Sequence, residues 1–235
     1  MLTKEINVQK YYRYQGRKTS KKISKANLNL LKNFYEDYSY DREIIEFFES
    51  NDKSKRFNLN TNNYTKVNIE IGFGDGEFLL KNAINNPHEL FIGIEFYKNG
   101  IIKILKKILE QQINNIKLCN LNAEYFLKAL PTNSVDNLLI INPDPWPKKR
   151  HHKRRLISFE NIKVFRRIIK SKDSIYITTD STIYTDYIES IFINNVKLLG
   201  DYKIITLSHY DHLYAVSRYQ RKAIKSGRKI YQITI

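Results

Sequence analysis

The chain has 235 residues, enough for one sizeable core with a terminal extension, and its 42% hydrophobic content excludes global disorder. Lys and Arg total 40 against 24 Asp and Glu, and the formal charge of +16 favours a polyanionic partner, nucleic acid ahead of a membrane surface. Cys119 is the single cysteine, which excludes an intrachain disulfide and a cysteine-built zinc cluster; with no apolar signal segment and no run near about 18 apolar residues, a cytoplasmic protein is expected.

Residues 1–60 are expected to form a basic arm and a helical extension, and residues 61–235 the main domain. In the arm, Lys4, Lys10, Arg13, Arg17, Lys18, Lys21, Lys22 and Lys25 stand against Glu5 alone, a composition suited to ordering on a partner. A helix is predicted in "KANLNLLKNFYEDY". Short apolar runs then alternate with helical segments. The runs are "VNIEI" (67–71), "LFIGIE" (90–95), "IKLCNL" (116–121), "VDNLLIIN" (135–142) and "SIYITT" (174–179). Between them lie "EFLLKNAIN", "YKNGIIKILKKILEQQ", "AEYFLKAL" and "ISFENIKVFRRIIK", of which the second has the clearest helical apolar period. Alternation of this kind predicts a doubly wound, Rossmann-like α/β sheet, mostly parallel, to which "IITLS" and "IYQITI" could add an antiparallel edge.

The first run leads into "GFGDGEF", with Gly72, Gly74 and Gly76 in the turn before a helix. Its GxGxG spacing departs from the GxGxxG of nicotinamide sites, which disfavours an oxidoreductase. Helix amides at such a turn serve a carboxylate as readily as a phosphate. S-adenosylmethionine carries a carboxylate and no phosphate, so it suits the turn. Glu70 lies at the end of the first run and Glu95 at the end of the second, where a carboxylate can accept hydrogen bonds from both ribose hydroxyls.

"NPDPWPKKRHHKRRL" (142–156) follows the fourth run. Pro143, Pro145 and Pro147 exclude a regular helix or central strand, so a stiff loop must carry Asp144 and Trp146. Trp146 could stack on a base, although beside prolines packing is the favoured reading. Lys148, Lys149, Arg150, Lys153, Arg154 and Arg155 form a cationic cradle expected to hold RNA phosphates and to depress the pKa of Asp144. His151 and His152 are adjacent and lack a third ligand nearby, so a metal is not expected.

These segments resemble the bacterial tRNA (guanine-N7-)-methyltransferases, class I methyltransferases dependent on S-adenosylmethionine, and the resemblance covers most of the chain. "NPDPWPKKRHHKRR" is similar to the family signature, "YRYQGRKT" to its basic arm, and "EIGFGDGEF", "GIEFYKNG" and "NLNAEYFL" to its cofactor motifs. "TTDSTIY" and "SRYQRKAIKSGRKIYQI" resemble its substrate motifs. The resemblance implies that Glu70, Glu95, Asn122 and Asp144 contact the cofactor with the glycine turn. It implies that Asp144 is catalytic, and that Lys148, Asp180, Ser217, Arg218, Tyr219 and Gln220 contact tRNA, with the variable-loop guanosine as target. Three positions depart from the family pattern: Asn122 stands where Asp is usual, Ser217 where Thr is usual, with its hydroxyl kept, and Gln220 where Glu is usual. Monomer and homodimer are equally open. Two other readings compete: a class I methyltransferase acting on an exocyclic amine, and a noncatalytic RNA-binding protein of the same fold.

Overall fold

The structure, a computed structural model, describes residues 10–11, 22–50, 57–207 and 218–235. Much of the basic arm, including Lys4, Arg13, Arg17, Lys18 and Lys21, lies outside the described residues. Seven strands alternate with helices in the expected way: β1 (Lys66–Ile71), α3 (Glu77–Asn85), β2 (Glu89–Ile94), α4 (Lys98–Glu110), β3 (Ile116–Cys119), α5 (Ala123–Ala129) and β4 (Asn137–Ile141). After the "NPDPW" segment come α6 (Phe159–Ile168), β5 (Ile175–Thr179), α7 (Thr182–Leu199), β6 (Lys203–Leu207), α8 (Arg218–Lys225) and β7 (Ile230–Thr234). They are preceded by α1 (Lys25–Phe34), which fills most of the predicted helix, and α2 (Asp41–Glu49), which lies beyond the segment predicted to be helical.

One sheet runs in the order β3-β2-β1-β4-β5-β7-β6. Strands β1 to β5 pair in parallel, as short right-handed crossovers through helices require. β7 is antiparallel to both β5 and β6 and is inserted between them. Because β7 is reversed, its start lies beside the end of β5, with Tyr231 opposite Thr179. The residues just before β7 therefore reach the carboxyl edge of the parallel strands, where such folds bind ligands.

Both faces of the sheet are covered. On one, α3 and α4 bury Leu79, Ile101, Ile104, Leu105 and Ile108 against Phe91 and Leu118. The α4 residues recur at one-turn spacing and form a single apolar stripe. Each such aliphatic side chain contributes about 1.5–3 kcal/mol on burial, so Ile104→Ala in this packed layer costs about 2–5 kcal/mol. On the other face α2, α5, α6 and α7 pack on Ile69, Ile92, Leu138 and Ile177.

The extension shields the free edge of β3. Ser39 bridges to Leu118, and the Tyr40 N–H donates to the Leu118 carbonyl at 3.0 Å. Asp41, buried at the start of α2, accepts from the Asn120 N–H at 2.8 Å and from the Tyr35 hydroxyl at 3.1 Å. Burial pushes its carboxyl up to about 6 despite those bonds. Tyr11 is also buried, stacked edge-on to Tyr125, and its carbonyl accepts the Asn122 N–H at 2.8 Å.

Candidate active site

Parallel register gathers the strand-end residues at one edge. Glu70 is the penultimate residue of β1 and lies opposite Gly93, while Glu95 directly follows β2. The Gly72 N–H donates to Ile94 O (2.8 Å), the Glu95 N–H to Cys119 O (2.9 Å) and the Asn142 N–H to Thr178 O (2.9 Å), so neighbouring chains leave the sheet in step. Asn122 follows β3 as the N-cap of α5, its Oδ1 accepting from the Glu124 N–H at 2.9 Å. Asp180 follows β5.

Gly72 and Gly74 have φ of +78° and +58°, the left-handed region that glycine enters without penalty, and a Cβ on either would project into open space. The turn is thus a backbone cradle with room beside it. Glu95 braces it: one carboxylate oxygen accepts the Gly74 N–H and the other the Tyr97 N–H, both at 2.8 Å. Gly100, in the first turn of α4, makes the close approach possible, because a Cβ there would collide with the Gly74 carbonyl.

Glu70 is 3% exposed, and its Oε2 is buried without a hydrogen-bond partner. Burial, then repulsion from Glu95, pushes its carboxyl up to about 8. The Glu95 carboxyl is also raised, chiefly by burial and in part by the charge of Asp144. Asp144 itself corrects the expectation from the sequence. Although the residue is exposed overall, protein crowds its carboxyl enough that burial raises its pKa, and the basic run does not depress it. Glu95 lies within electrostatic reach of both Glu70 and Asp144, and Glu70 Oε2 is buried without a partner, so the site suits a ligand that donates hydrogen bonds.

The loop bearing Asp144 is held in a costly shape. Asn142 (φ 51°) and Trp146 (φ 42°) lie in the left-handed region, at about 1–3 kcal/mol each. Arg155 holds the loop in place. This side chain is 5% exposed, donates from Nε to the Pro145 carbonyl at 2.9 Å, and lies over the Tyr187 and Tyr184 rings at 4.2 and 5.3 Å. It belongs to the loop's interior and not to the exposed cationic run. Arg154 lies 5.0 Å over the Trp146 ring, and His151 meets that ring edge-on at 5.5 Å, so Trp146 is a packed side chain. Lys148, Lys149, Arg150 and Lys153 are the exposed cations of this run.

The carboxy-terminal segment reaches the same edge. Gln220, 3% exposed, donates to Thr178 Oγ1, which donates to Asn142 Oδ1, each at 3.5 Å. Asp180 pairs with Arg228. Ser217 and the side chains of Arg218 and Tyr219 lie outside the described residues. Among the described residues no three His, Cys, Asp or Glu converge as a metal site, and no helix is long and apolar enough to cross a membrane. Sequence reasoning passed over Gly100 and Thr178, and placed Arg155 among the cradle cations although it is buried against the Asp144 loop. Gly100 left a signal, a glycine inside an otherwise strong helix; nothing in a run of six cations marks the one that turns inward.

The profile of the Methyltransf_4 methyltransferase family matches residues 64–233. The tRNA (guanine-N(7)-)-methyltransferase of Wolbachia pipientis is 34% identical over 188 residues, covering 80% of this chain and 82% of that protein. A "Bifunctional methyltransferase" of Rickettsia conorii is 32% identical over 234 residues, covering 97% of this chain but 40% of that protein, so the chain spans about two fifths of that longer relative. The fold is shared with the solved structure of an antibiotic-related methyltransferase, at a TM-score of 0.52 and 20% identity, covering 77% of this chain and 96% of that one. Matched by that family over most of its length and by a tRNA (guanine-N(7)-)-methyltransferase over four fifths of each chain, the chain belongs to the tRNA (guanine-N7-)-methyltransferase family.

Proposed function

We propose that this protein, acting in the cytoplasm, methylates N7 of a guanosine in the variable loop of tRNA with S-adenosylmethionine as donor. The observation that carries the reading is the trio Glu70, Glu95 and Asp144, all raised in pKa, with Glu70 Oε2 buried and unpartnered. A ligand bearing cationic and hydroxyl groups suits such a trio, and the open cradle at Gly72 and Gly74 admits backbone contact with it. When bound, S-adenosylmethionine supplies an electrophilic methyl group on a sulfonium. In this reading Glu70 and Glu95 receive donors of that ligand, and Asn122 offers an amide donor where the usual acid would place charge.

Guanine N7 has a lone pair and no proton in the neutral base, so no residue must remove one. The protein's work is alignment, bringing reacting atoms to about 3–3.5 Å. Methyl transfer leaves positive charge on the purine, which the Asp144 carboxylate stabilises at the moment it develops. Rigidity matters for this, and the loop's prolines and the Arg155 clamp supply it. Lys148 and its exposed neighbours, with the arm and the α8 cations, hold the tRNA backbone, and the family resemblance assigns Asp180 and residues 217–220 to the same substrate.

Incubation with labelled S-adenosylmethionine and unmodified tRNA, followed by nucleoside analysis, should yield 7-methylguanosine. Methyl on an exocyclic amine would replace this reading with the amine one. Absence of cofactor binding in calorimetry would leave a noncatalytic RNA-binding protein.

A further inference from the structure

Glu77 is the first residue of α3, next to Gly76 and thus to the glycine cradle. Arg221 follows Gln220 on α8. The two side chains form an ion pair at 2.5 Å across 144 positions of sequence. Beyond the other end of α8, Arg228 pairs with Asp180 at the end of β5. Strand order places β4, with the Asp144 loop at its end, between β1 and β5. The segment 220–228 is therefore tied at one end to the loop after β1 and at the other to the end of β5, across the strand that delivers Asp144.

We propose that Glu77 and Arg221 are positioning residues that couple occupancy of the glycine cradle to tRNA binding at the residues around Gln220. The inference rests on the function proposed above. A ligand seated on the cradle orders Gly76 and the first turn of α3, which fixes Glu77 and, through it, Arg221 and the adjoining Gln220. The ordering cost is then already met when tRNA engages α8, and coupling of this kind is reciprocal. Arg221 holds the Glu77 carboxyl below its usual range. Each side chain is about 40% exposed, so the tie is a partly screened pair with an effect of up to about fivefold. Glu77 also faces Lys81 at 3.5 Å within its own helix, which supplies an internal control.

Calorimetry on the full chain would give the Kd for S-adenosylmethionine with and without saturating tRNA, for the wild type, Glu77→Gln, Arg221→Gln, the double variant and Lys81→Gln. Expected is tighter cofactor binding in the presence of tRNA. That enhancement should fall about two- to fivefold in each single variant, no further in the double, and not at all in Lys81→Gln. Independent effects of the two substitutions would overturn the coupling. So would an unaltered enhancement accompanied only by a lower Tm, or a wild type that binds cofactor and tRNA independently. A wild type that binds no cofactor would overturn the proposed function itself.

Discussion

Replacing Arg155 with Met separates a clamp from a phosphate contact, since both side chains fill similar length but Met carries neither charge nor donor. The bond to the Pro145 carbonyl at 2.9 Å is charge-assisted and contributes about 1.5–3 kcal/mol; the 3.5 Å approach to the Trp146 carbonyl adds little. Stacking over Tyr187 at 4.2 Å contributes about 0.5–2 kcal/mol, part of which a Met sulfur recovers. Release from burying a guanidinium offsets some of the loss. The net cost should be about 2–3 kcal/mol, or about 5–10 °C in Tm for a chain of this size. Single-turnover methylation should fall as the Asp144 loop loses its support, while the salt dependence of tRNA binding stays as in the wild type. Urea unfolding, rapid-quench methylation and filter binding across a salt series measure the three quantities. Wild-type stability combined with a slope shallower by about 0.7–0.9, the increment of one lost phosphate contact, would refute the clamp.

Asp144→Asn should remove most turnover and leave tRNA affinity nearly unchanged; an unimpaired single-turnover rate would reject the residue's role. Because burial raises the Asp144 pKa, the wild-type rate should fall on acidification at a higher pH than an ordinary carboxylate would give, and a pH–rate profile checks this. Glu70 has an ordinary value of 4.5 and is pushed up to about 8 in the folded protein. Between those values the folded state retains a proton that the unfolded chain has lost. Stability of the ligand-free protein should thus decline as pH rises, by up to about 1.4 kcal/mol per unit. Glu70→Gln should flatten that decline in urea titrations at pH 5 to 8, and an unchanged slope would contradict the burial argument. Lys149→Gln, at an exposed cation, should lower the salt slope of tRNA binding by about 0.7–0.9 without changing Tm.

The strand ends were legible because their signals are local. Alternation of β-branched runs with a 3.6-residue apolar period located β1 to β5 within a residue or two, and each acid or amide of interest stands at its strand's end or within three residues of it. The glycine turn announced itself through spacing, and the prolines around Asp144 through what they exclude. Helices α2, α7 and α8 were less visible. α7 begins with Thr182 and Ile183, β-branched residues of low helix propensity, while α8 is rich in helix formers but only eight residues long, with too few apolar positions to mark a buried stripe.

What the sequence determined by itself, then, was the order of elements and which residues stand at the sheet's carboxyl edge, because both depend on neighbours within a turn or a strand. The tertiary structure alone decided their partners: that Arg155 turns inward while Lys149 does not, that Glu70 is buried without a hydrogen bond, and that Arg221 reaches Glu77. The last of these depends on the reversed insertion of β7 beside β5, which places α8 near the site. Charge and composition do not encode such a long-range return, because the same side chain is solvated, clamped or paired according to the chain that happens to pack against it.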